Sequence, residues 1–127
     1  MTDKNCIEHL TQFVPEFRNW LKNFENPSIH IQFYLLSRFV LTKIEQEPEY
    51  VTPLMREVDS IVLENEEVEI SNQLRTTFLE PLMNAVLNGQ ITPQQLANIL
   101  EPFSKTICER WARDLEGTQY ALPRRMN

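Results

Sequence analysis

The chain has 127 residues, with 12 Lys and Arg against 18 Asp and Glu, for a net charge of −6. One domain fits that length, and it is large enough to bury a core without a metal or a disulfide. The 42% hydrophobic fraction is that of a globular chain. The acidic balance excludes generic attraction to nucleic acid or to an anionic membrane surface, since both are negative.

Apolar spacings of three and four predict helices throughout. The first runs from about Asp3 to Val14 and carries Ile7, Leu10 and Val14. Pro15 begins a second, striped by Phe17, Trp20, Leu21 and Phe24. Asn26 and Pro27 read as a cap followed by a first-turn proline, opening a third helix that reaches about Gln46. Ile29, Phe33, Leu36, Val40 and Ile44 share one face, and Tyr34, Leu35, Phe39 and Leu41 widen it. A helix apolar nearly all round belongs at the centre.

Pro48 ends that element. A fourth helix starts at Tyr50 or Thr52 and ends near Leu63, with Val51, Leu54, Met55, Val58, Ile61 and Val62 on its inner face. After a polar break at 64–67, a fifth carries Ile70, Leu74, Phe78 and Leu79, until Pro81 interrupts it or begins a sixth. Asn88-Gly89 reads as a C-cap. Thr92 and Gln95 form a capping box, with Ile91 and Leu96 placed as a hydrophobic staple. Pro102 starts a last helix, with Phe103, Ile107, Trp111 and Leu115 at strict i+4 spacing and Gly117 as its stop. The expected fold is all-α, a compact bundle of seven or eight short helices in antiparallel hairpins, or alternatively a HEAT-like stack. Residues 1–117 form the domain, and 118–127 form a loose, flexible tail.

Signals for chemistry are sparse. No secretory h-region follows Met1, and the apolar run from Ile29 to Leu41 is broken by His30, Gln32, Ser37 and Arg38, too short to span a membrane. Cys6 and Cys108 read as reduced thiols of a cytoplasmic protein, although chain ends often lie close enough to pair. Cys6 and His9 share a helix face, but no third orienting group accompanies them. Two histidines and two cysteines at scattered positions give no metal-ligand spacing, and two isolated glycines give no phosphate loop. No catalytic residue, metal, cofactor or small-molecule substrate is expected.

Charge distribution is the unusual feature. From Glu45 to Glu69 there are nine acids and one base, Arg56, a net −8 that leaves +2 for the rest of the chain. The inner face of the fourth helix is filled by apolar residues, so its acids are expected to face outward. Clustered like charge costs folding stability through self-repulsion. It also speeds and orients docking onto a basic partner. The candidate partner-binding set is Glu47, Glu49, Tyr50, Asp59, Glu64, Glu66, Glu67 and Glu69, with the Tyr50 ring as an anchor.

The segment Phe13-Val14-Pro15-Glu16-Phe17, the later run Asn72-Gln73-Leu74-Arg75-Thr76-Thr77-Phe78-Leu79-Glu80-Pro81-Leu82 and the late Trp111 resemble an uncharacterised family of small bacterial helical domains. The resemblance covers about residues 8 to 116, and Pro81 departs from the family's uninterrupted helix. Members look like immunity proteins found beside secreted polymorphic toxins, and no binding residue carries over. The implied function is an immunity protein, an antitoxin-type inhibitor that neutralises a basic toxin domain through an acidic surface. The rivals are a phage or mobile-element inhibitor acting as an acidic decoy, and a non-catalytic helical adaptor.

Overall fold

Caps and prolines decide where this chain turns. A computed structural model describes residues 2–64 and 68–126. In it the Thr2 hydroxyl accepts the Asn5 N–H at 3.1 Å and opens α1, Asp3–Thr11. Cys6, Ile7 and Leu10 are its buried face. A tight turn through Val14 leads into α2, Glu16–Leu21, with Pro15 at its start.

The next helix starts later than the sequence reading placed it. The residue before a proline is disfavoured in the right-handed helical region, and Asn26 takes a positive φ of 40° instead. The cap passes to Ser28, whose hydroxyl accepts the Ile31 N–H, and α3 covers Ile29–Lys43. Phe33, Leu35, Leu36, Phe39 and Val40 are buried, and α3 packs against α1 and α2, against the turn at Pro48–Val51 and against the later stretch Glu69–Leu87. It is the central element its composition implied.

A 3-10 turn, Pro48–Val51, leads directly into α4, Thr52–Glu64. All six expected inner residues of α4, from Val51 to Val62, are buried. Beyond the undescribed 65–67 come α5, Glu69–Leu74, a π turn at Arg75–Leu79, and α6, Glu80–Leu87. These run on as one rod, so Pro81 does not break it. A proline ring inside an α-helix clashes with the carbonyl four residues back and leaves it without a donor. Here the Glu80 N–H reaches the Arg75 carbonyl, five residues back, and the widened turn puts Pro81 in the first turn of α6.

The rod ends in a Schellman motif. The Gln90 N–H donates to Ala85 O, the Gly89 N–H donates to Val86 O, and Gly89 takes the left-handed φ of 80°. The capping box forms as expected, with Gln95 N to Thr92 Oγ1 at 3.0 Å and Thr92 N to Gln95 Oε1 at 2.9 Å. It opens α7, Pro93–Ala97, and α8 follows over Pro102–Glu116. The described residues contain no β-strand, and the eight α-helical segments make seven helices if the α5–α6 rod counts as one.

Two expectations are revised at the C-terminal end. The i+4 series of α8 holds only in part: Ile107 is buried and Phe103 and Trp111 pack half-buried against the core, but Leu115 at its end is 59% exposed. The deepest residues are Ser104, Cys108 and Ala112, small side chains that allow close helix approach. The segment after Gly117 is also not a loose tail. Leu122 is buried, its N–H donates to Glu109 Oε2 at 2.6 Å, and Arg125 donates to Leu100 O at 2.6 Å. Residues 118–126 return along α8 as an extended strap, because Leu122 finds an apolar seat and Arg125 finds the Leu100 carbonyl in the link between α7 and α8.

Candidate functional site

Among the described residues the acids of the candidate set do not form one patch. Glu47 and Glu49 stand before the start of α4, while Glu64 ends it and Glu69 begins α5. The 13 residues of α4 separate the two groups by about 20 Å. Glu47, Glu49, Glu64 and Glu69 are exposed. Glu66 and Glu67 lie outside the described residues.

Asp59 is a correction to the outward-facing set. Its Oδ1 accepts the Ser104 N–H at 2.6 Å and the Ser104 hydroxyl at 2.7 Å. Ser104 lies in the first turn of α8, and the residue at that helix's own N-cap, Glu101, makes no side-chain capping bond. Asp59 therefore supplies the cap from α4, where a carboxylate meets both an orphan N–H and the positive end of the helix dipole. Glu57 also turns to its own chain, its carboxylate 3.6 Å from His9 Nε2.

Tyr50 is equally committed. Its hydroxyl accepts the Glu16 N–H at 3.2 Å, and its ring lies 5.1 Å from the Lys43 ammonium. Lys43 is held by Glu16 at 2.5 Å and Glu47 at 3.0 Å, with the Phe39 ring 5.7 Å away. The Glu16 carboxylate first, and that of Glu47 second, raise the Lys43 pKa above its ordinary 10.5. Tyr50 is thus a support beneath the site rather than a free anchor.

That support carries a surface the acid count did not reveal. Glu16, Asn19 and Trp20 of α2 and Asn23 in the turn after it line an open depression with Phe39, Thr42 and Lys43 of α3. Trp20 is half-buried, stacked on Phe17 at 5.9 Å and tilted on Phe24 at 4.9 Å. Phe24 is 39% exposed. The result is an aromatic edge rimmed by carboxylates. The sequence reading took Trp20 and Phe24 as core because they share a stripe with Phe17. The usable signal is the short length of α2, six residues, which buries Phe17 and leaves its last turn at the rim.

The thiols take no part in such a site. Burial above all, then the charge of nearby Asp3, pushes the Cys6 thiol up to about 12. A nucleophile must be a thiolate, and at neutral pH this sulfur keeps its proton. Cys108 is shifted the same way by complete burial, and its thiol donates to Leu79 O at 3.8 Å. The described residues contain no group of three or more His, Cys, Asp or Glu able to hold a metal ion. No helix among them is long and apolar enough to cross a membrane. Comparison with known protein families, with curated proteins and with solved structures finds no match to this chain.

Proposed function

We propose that this chain is a protein-binding domain that docks a basic partner and, in the finer reading, an immunity-type inhibitor that covers a basic toxin domain. The supporting observation is the edge where Trp20, packed on Phe24, lines a depression with Glu16 and Lys43, with Glu47 held on Lys43 and the exposed Glu49 two residues further along the chain. Half-buried aromatics ringed by charge are the surfaces on which binding energy concentrates. The carboxylates steer a basic partner and accept charge-assisted hydrogen bonds from it, while Trp20 offers a face to an arginine or lysine. The same charge repels nucleic acid, so the domain competes for a positive cleft rather than for its negative substrate.

The test is co-expression with a candidate basic toxin domain, reading growth and complex formation. Neutralisation by the unmodified chain, and its loss in Trp20→Ala with helicity intact, is the expected result. Neutralisation that survives Trp20→Ala with unchanged affinity would move the binding surface elsewhere and return the acids to a solubilising role.

A further inference from the structure

The strap seats few side chains for its length. Of residues 118–126, Leu122 is buried, Tyr120 and Pro123 are half-buried, and the others are exposed. Its remaining hold is polar. Glu109 accepts the Leu122 N–H, Gln94 Nε2 donates to Arg124 O at 2.8 Å, and Asn98 Oδ1 accepts the Met126 N–H at 2.8 Å. Arg125 donates to Leu100 O and lies 3.5 Å from Glu101, a carboxylate that also faces Arg56 of α4 at 3.6 Å. The exposed Gly117 and Thr118 give the strap a hinge, with Gly117 at a φ of 72° and open space around its Cα.

We propose that α7 and the first turns of α8 form a binding groove for an extended peptide, and that the strap occupies it in cis. The ligand class is an extended segment of a partner with a leucine three residues before an arginine, since the groove already recognises that spacing in Leu122 and Arg125. Glu109 and Asn98 read backbone N–H groups, which any extended segment presents in the same register. The leucine seat and the paired Leu100 carbonyl and Glu101 carboxylate read the two side chains. Tethering gives the strap a high effective concentration, so it masks the groove until it is released. This groove uses none of the residues of the acidic edge and stands apart from the reading given above.

The experiment uses the full chain and a fluorescent synthetic peptide of residues 118–127 as the probe, read by anisotropy. Leu122→Ser in the chain weakens the strap, so that chain should bind the peptide at least about tenfold more tightly than the unmodified chain, at one peptide per chain. Leu122→Ser in the peptide, or Glu101→Gln in the released chain, should reduce that binding. A second chain variant, Arg125→Ala, loosens the strap without touching its apolar seat and should shift binding in the same direction. Folded variants that bind no better than the unmodified chain overturn the proposal. Loss of helicity in both variants overturns it too, because the strap would then be an indispensable part of the core.

Discussion

Asp59 shows how one side chain can reverse a reading of charge. Counted along the sequence it is one of nine acids in an acidic stretch, yet its carboxylate is spent on the Ser104 N–H and hydroxyl. Asp59→Ala removes a cap from α8 and should cost about 1–2 kcal/mol in urea unfolding, whereas Glu49→Ala should change stability by less than about 0.5 kcal/mol. A second residue-scale prediction concerns alkaline pH. Cys6, Lys43 and Tyr120 all have folded pKa values raised above their ordinary ones, by burial for the thiol and the phenol and by the Glu16 and Glu47 carboxylates for the ammonium. The native chain therefore keeps protons that the unfolded chain gives up. Stability from these groups is complete below their unfolded values, the first of which is 9.0 for Cys6, and is lost as pH rises through the folded ones, about 12 for that thiol. The Tm should fall steadily from pH 9 upward, and Cys6→Ala should make that fall shallower. A Tm that is flat between pH 9 and 11 would contradict the assignment.

Elements were legible where large apolar residues repeat and where a cap is local. The inner face of α4, the central place of α3 and the Thr92–Gln95 capping box all follow from such signals. Legibility failed where tertiary packing overrode them. The buried face of α8 joins Ser104, Cys108 and Ala112 to Ile107, and periodicity weighted towards large residues finds Ile107 but misses the small side chains and overextends the stripe to Leu115. The Asn26 cap failed because proline restricts its predecessor, and of the two alternatives at Pro81 the second holds, with the proline opening α6 and a π turn keeping the rod continuous. The difference is measurable. Phe33→Ala in α3 should cost about 3–5 kcal/mol, as cavity-forming truncations of buried aromatics do. Leu115→Ala, on the stripe favoured by spacing, should cost less than about 0.5 kcal/mol because the side chain is already in water.

Across the whole molecule the described acids of the −8 segment divide into an outer set at two ends of α4 and an inner set that holds the fold. The functional reading keeps Glu47, which holds Lys43, and the neighbouring Glu49, and adds Glu16, Trp20 and Phe24, which charge counting could not select because α2 and the turn after it, neighbours in space, supply them. Steering by charge acts on encounter rate and is screened by salt, so reversing charge at the docking edge should change the rate of association more than the rate of dissociation. The two ends of α4 can be tested separately. The direct measurement is the association rate with the basic toxin-like partner, at low and at physiological salt, for Glu47→Lys with Glu49→Lys and for Glu64→Lys with Glu69→Lys. The first pair should slow association by about tenfold or more at low salt and flatten its salt dependence, while the second pair leaves both near those of the unmodified chain. An unchanged rate in the first pair, or an equal loss in the second, would contradict the claim that the aromatic and acidic edge beside α2 is the docking surface.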